Sequence, residues 1–418
     1  MSQALTTQPQ VESPPDIERR RKGMLFLGLA VASVGFAMML QMGLNDNFLV
    51  QEMGLDPGHK GLLEAIRESC GIAAVGILAL IVGLKEPIIA TAMLALVGVG
   101  VGAYYGVHDF FWLAFWSVVW SQGLHIWMPL PNSMVLAIAE PGNAGRRLGQ
   151  LQAFAAVGSA LALAVALAPS ALRWLGRQNL PGLSALGLEN MHLPLRPMYL
   201  AAGAAAVLGA LFCIGIPRDI KAPGLPLVFR RKYWLYYLLC FLEGWRKQIF
   251  LAFAGYLLVR VYHMPVHVML LLWTAIQVLC WLSAGRVGRL IDRLGERKIL
   301  MLYYAAVTAV FCGYAMVKNV GVLAGLFVID NTFSLLAMSL TTYVRRMAPV
   351  TEHTATLSMG VAFNHVGAVM MPLLGGWLWM TYGYQAAFQA GAVAAVGSIF
   401  VAMMLPRRDR DQGTGNRQ

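Results

Sequence analysis

The sequence predicts an all-α membrane protein with twelve transmembrane helices in two six-helix, pseudo-symmetric bundles. Composition, run length and the placement of basic residues predict it. Hydrophobic residues make up 58% of the 418 and charged residues only 12%, against roughly 25% charged in an average soluble domain. So little charge cannot cover a water-facing surface of this size. Twelve apolar runs then approach the roughly 20 residues that a bilayer core demands of a helix.

Taken in chain order, the polar stretch Met1 to Lys22, with Pro14-Pro15 and Arg19 to Lys22, reads as a disordered cytoplasmic tail. The apolar run behind it is too long for a signal-peptide core. The expected spans are 24–48, 60–83, 87–107, 111–138, 149–169, 197–216, 233–259, 267–284, 299–317, 320–344, 356–374 and 386–405. A β-barrel would instead show short alternating strands. The 43 glycines suit helices that approach closely in lipid. The stretch 217–232, PRDIKAPGLPLVFRRK, is the most polar interior segment. It divides a bundle at 23–217 from one at 233–405, with 218–232 as cytoplasmic linker and 406–418 as a second cytoplasmic tail.

Charge placement tests this count. With the N-terminus inside, inside segments hold 23 Lys and Arg and outside segments 6, the asymmetry of the positive-inside rule. The net charge of +12 is therefore topogenic, which excludes a nucleic-acid surface. Both termini are expected in the cytoplasm, in a bacterial inner membrane. The five cysteines stand singly in apolar runs and read as small buried residues, with no metal or disulfide spacing. The halves echo each other: Asn47 to Leu63 aligns with Gly255 to Leu271, setting Pro57 on Pro265 and His59 on His267. A duplicated unit predicts such an echo.

Between the eighth and ninth runs stands GRVGRLIDRLGERKIL, which from Gly288 reads G-x-x-x-D-R-x-G-x-R-K. The glycines suit a tight turn, and Asp292 suits a helix N-terminus. This segment resembles the cytoplasmic loop signature of the major facilitator superfamily. The resemblance implies a gate lock made by Gly288, Asp292, Arg293, Gly295 and Arg297. Met371 to Gly376, MPLLGG, is similar to a Pro-x-x-Gly-Gly element of antiporter members, whereas the usual signature between the second and third runs is absent. The resemblance also implies that the first, fourth, seventh and tenth helices line a central cavity.

Charges at membrane depth are costly and mark candidate sites. The seventh run carries Glu243, Arg246, Lys247 and Gln248 near its middle, with Glu243, Arg246 and Lys247 spaced to share a helix face. One acid cannot balance two cations, so Asp330 of the tenth run or an anionic solute must contribute. Arg246 and Lys247 read as solute-binding, and Glu243 and Asp330 as proton-coupling. A closed Glu243–Arg246 and Lys247–Asp330 network that only packs helices is the plainer alternative.

The second run holds Glu64, Arg67 and Glu68 near its outer end. These read as a self-neutralised cluster, or as an outer gate at Arg67 with coupling acids at Glu64 and Glu68. Trp120, Gln122 and His125 of the fourth run, with Asn331 and Asn364, complete the candidate solute contacts. His365 reads as a packing residue. No phosphate-cradling GxxxxGK[ST], HExxH or GxSxG occurs, so no enzyme, cofactor or metal is expected. The resemblance implies a monomeric secondary active transporter in the lipid bilayer. It would move a small organic solute (anionic, zwitterionic or amphiphilic) by alternating access, coupled to H+. A transporter-like sensor or assembly partner is the alternative.

Overall fold

The computed structural model describes residues 14–81, 83–140, 143–178, 190–220 and 229–406. They form helices in the order α1 (Pro14–Asn47), α2 (Pro57–Leu80), α3 (Glu86–Gly102), α4 (Phe110–Trp127), α5 (Leu130–Ile138), α6 (Ala144–Gly176), α7 (Leu195–Ile214), α8 (Trp234–Ile249), α9 (Gly255–Arg260), α10 (Val266–Leu294), α11 (Glu296–Met316), α12 (Val320–Phe333), α13 (Met338–Met347), α14 (His353–Tyr382) and α15 (Tyr384–Met403). Among the described residues, nine helical stretches are long and apolar enough to cross a membrane. Three further segments are α2, with its four charges, and the interrupted pairs α4–α5 and α8–α9. With them the helical segments number the expected twelve. Large apolar side chains such as Val157, Trp281, Val393 and Phe400 lie exposed on the outer surface, the face that lipid would cover.

Chain chemistry sets the ends. Asp56 accepts a hydrogen bond from the His59 amide at the start of α2, and Pro57 occupies the first helical position, where a missing N–H costs nothing. Asp109 and Asn319 cap α4 and α12 in the same way.

The two groups of helices share their irregularities. A π-helical turn widens the far end of α1 at Phe48–Glu52, and another lies between α8 and α9 at Phe250–Ala254. Such turns occur frequently at functional sites. The fourth segment of each group breaks toward its later end, at Met128–Pro129 and at the 3-10 turn Ser334–Ala337. The fifth of each carries an internal proline, Pro169 in α6 and Pro372 in α14. Packing repeats too: α1 lies against α6 and α7 as α8 lies against α14 and α15, and α3 pairs with α7 as α11 pairs with α15.

Several expectations need correction. Residues 1–13 lie outside the described region, but Pro14 to Lys22 are helical and continue into α1, so no disordered tail reaches Lys22. Of the expected linker, 221–228 lie outside the described residues. The tail 406–418 does as well, apart from Pro406. The signature segment is not a loop at Gly288. The α10 helix runs through Gly285, Gly288 and Asp292 to Leu294, and the chain reverses at Gly295, whose φ of 78° and ψ of 156° suit glycine alone. Asp292 therefore sits in the last turn of α10, because the polar residues after Ser283 extend the helix beyond its apolar part. Of the cysteines, Cys312 is exposed and Cys280 only half-buried.

Candidate functional site

The two helix groups meet at the end opposite to where α1 begins and α15 finishes. There Asn47 Nδ2 donates to the Met264 carbonyl at 3.1 Å, and Tyr256 Oη donates to the Leu55 carbonyl at 2.6 Å. The α2 and α14 helices run face to face. A Cβ at Gly61 would strike the Pro372 carbonyl, and one at Gly71 would strike the His365 ring. At the other end, the described ion pairs Arg147–Glu140, Lys232–Glu352, Arg230–Glu352 and Arg346–Glu296 each stay within one group. Outside the apolar region, the Lys232 hydrogen bond holds the Glu352 carboxyl below its ordinary range.

Just beneath the closed end lies a small cleft. Its walls come from both groups: Gln41, Asn45, Asp46, Glu64 and Arg67 on one side, and Phe250, Leu251, Gly255, Trp273 and Phe327 on the other. The first side is mostly polar and charged, with Met42 among it, and the second is apolar.

The polar wall is the outer part of a chain of charges. Lys60 is fully buried, 3.2 Å from Asp46 and 2.8 Å from Glu64. Arg67 pairs with the other Glu64 oxygen, stands 3.7 Å from Glu68 and lies over the Trp120 ring. Glu68 in turn reaches His365 of α14 at 3.3 Å. Thus the three-residue cluster of the sequence is part of a longer network that ends in the opposite group. Lys60, the first residue of the expected span 60–83, lies in the first turn of α2 because Asp56 and Pro57 start the helix three residues earlier. Asp46, Lys60 and His365 were missed as members. The i, i+4 spacing of Lys60 and Glu64 was the available signal.

In the second group, Arg246 joins two acids. It lies 2.8 Å from Glu243 and 3.4 Å from Asp330, and is itself 3% exposed. Tyr303 Oη donates to Glu243 at 2.9 Å and places its ring under the guanidinium. Of the expected pairs, Glu243–Arg246 forms and Lys247–Asp330 does not. Arg246 takes both carboxylates and Lys247 takes neither, because the 100° step between them turns Lys247 toward α2, where its charge acts on Glu68. Arg246 is engaged within its group and does not line the cleft. Asp330 Oδ2 is buried without a hydrogen-bond partner.

The other candidates divide. Trp120 is buried and its indole donates to Tyr104 at 3.1 Å, so it packs inside the first group rather than facing the cleft. Gln122 Nε2 is buried without a partner. His125 Nδ1 is 2.8 Å from the Ser121 carbonyl, and its ring lies edge-on against His365 at 5.0 Å. Asn364 Nδ2 donates to the Cys240 carbonyl at 3.1 Å and ties α14 to α8. Asn331 accepts from Ser334 through its carbonyl, at the break after α12. Of the expected gate, Arg297 donates to the Leu405 carbonyl at 3.1 Å, Arg293 is exposed, and Gly288 is an ordinary helical residue.

Comparison with known proteins agrees with this architecture. Residues 236–418 match the family model described as Major Facilitator Superfamily. No curated protein matches the chain in sequence. Among solved structures, the nucleoside transporter NupG superposes with a TM-score of 0.69 at 13% identity, covering 91% of this chain and 98% of that one. A bacterial homologue of the human lysosomal transporter Spinster, inward-facing and unoccupied, gives 0.68 at 14% identity over 94% and 97%. Its occupied form gives 0.65 at 15% identity over the same shares. This chain has the major facilitator superfamily fold, and its residues 236–418 carry that family's sequence pattern.

Proposed function

We propose that the protein is a secondary active transporter that carries a small organic solute across the membrane by alternating access. The observation that carries this reading is the cleft walled by both helix groups, closed on one side by the Asn47–Met264 and Tyr256–Leu55 contacts. Rocking about this interface would open the cleft to the other side. By the distribution of basic residues, the closed side faces outward and the described state is inward-facing. The mixed wall favours an amphiphilic or zwitterionic solute. A carboxylate or phosphate would meet Arg67, and Lys247, which has no described hydrogen-bond or ion-pair partner, supplies a second cation. Nucleosides, the solutes named for one structural neighbour, belong in any solute panel.

Coupling to protons follows from charge balance. Arg246 supplies one positive charge against the two carboxylates of Glu243 and Asp330, and an isolated ionised carboxylate is very costly at this depth. One acid binding and releasing a proton would balance the triad and link pH to the packing of α8 against α12. The test is flux of a solute panel into proteoliposomes with and without an imposed pH gradient. The reading expects gradient-driven accumulation that Asp330→Asn and Glu243→Gln abolish while binding survives. Equal accumulation by both variants would remove proton coupling. No flux of any solute, together with stable co-purification of a partner, would favour a sensor or assembly role.

A further inference from the structure

We propose that Glu68 on α2, His125 on α4 and His365 on α14 form a binding site for a divalent transition-metal ion of the zinc type, which ties the two helix groups together. The three come from segments far apart in sequence, and one ligand atom of each lies within 4.8 Å of the other two. Glu68 Oε2 and His365 Nδ1 are 3.3 Å apart. Two ligands of a tetrahedral zinc with bonds near 2.0–2.1 Å stand roughly 3.3–3.5 Å apart, so this pair is already at ligand spacing. Both atoms are buried, and each is the other's described partner.

The third ligand is already oriented. His125 Nδ1 lies 2.8 Å from the Ser121 carbonyl oxygen. A carbonyl can only accept, so Nδ1 carries the hydrogen and the lone pair is left on Nε2. Metal-binding imidazoles are held in this way by a hydrogen bond from the other ring nitrogen. Two imidazoles and one carboxylate, with water completing the sphere, make a zinc-type ligand set. Imidazole donors disfavour magnesium and calcium, which take oxygen ligands. The absence of a side chain at Gly71 lets His365 come this close to α2.

Two cations oppose the ion. Arg67 is 3.7 Å from Glu68, and the Lys247 charge also acts on Glu68. They limit affinity, and Lys247 gives a handle on the site. The ligands converge only while α2 and α14 are in contact, so a bound ion favours the state closed at this end. None of this depends on the transport reading.

The experiment is titration of the purified full-length protein in detergent with Co²⁺, followed by its visible absorption, with Zn²⁺ as competitor. Saturable binding at one ion per chain is expected. His125→Gln and His365→Gln should each weaken it at least tenfold. Lys247→Gln keeps all three ligands and should tighten it severalfold, a gain that misfolding cannot imitate. The proposal is overturned if the parent protein shows no saturable cobalt absorption, if His365→Gln binds as tightly as the parent, or if Lys247→Gln fails to tighten binding.

Discussion

Replacing Arg246 by Met separates the two possible meanings of the buried triad. The guanidinium is 3% exposed and Asp330 1% exposed, so solvent cannot take over when the cation is removed. The side-chain volume is roughly kept, while Glu243 and Asp330 lose their common partner. Glu243 retains only the Tyr303 hydroxyl, and Asp330 retains no described partner. Breaking a buried pair by deleting one member costs about 3–5 kcal/mol, largely because an uncompensated charge stays behind. Arg246→Met should therefore destabilise the protein by about that amount. Replacing a whole buried ionic cluster by neutral groups is often neutral or stabilising. The triple variant Arg246→Met, Glu243→Gln, Asp330→Asn should thus recover most of the loss. The assay is unfolding in detergent followed by tryptophan fluorescence, at fixed pH and lipid content. If the single variant stayed within about 1 kcal/mol of the parent, the burial argument would fail, since only solvent-exposed pairs are that weak. A triple variant as damaged as the single one would show that shape, rather than charge balance, is what Arg246 provides.

Two further predictions concern close approach and backbone geometry. Gly61→Val drives a branched side chain into the Pro372 carbonyl; overpacking of this kind costs about 1–3 kcal/mol, seen as a lowered unfolding midpoint, and an unchanged midpoint would mean that α2 and α14 are not in contact there. Gly295→Ala forces a side chain into φ 78°, ψ 156°, a strain of about 1–3 kcal/mol, whereas Gly288→Ala, inside α10 with open space around it, should be neutral or slightly stabilising. Equal effects at the two glycines would contradict the placement of the turn at Gly295.

The amino-acid sequence by itself determined the fold class, and its twelve expected spans agree with the helical segments described. These follow from one-dimensional quantities, namely run length, charge density and the spacing of basic residues, each set by the cost of polar groups in lipid. It also marked Glu243, Arg246, Asp330, Glu64, Arg67 and Glu68 as exceptional, because any charge within an apolar run is visible without knowing its neighbours. The tertiary structure decided which of these charges meet. The spacing of Glu243, Arg246 and Lys247 put three residues on one broad face, but only packing could send Arg246 to Asp330 and turn Lys247 toward α2. The same holds for His365. On its own helix it stands beside Asn364 in an otherwise apolar stretch, and only the close packing of α2 against α14, which Gly61 and Gly71 permit, sets it beside Glu68 and His125. Lys60 shows the limit from the other side. The expected second span begins at Lys60, as if its charge marked the membrane boundary, while the Asp56 cap and two facing acids hold it fully buried. Pair energies at membrane depth depend on distance and desolvation, and neither is a property of position along the chain.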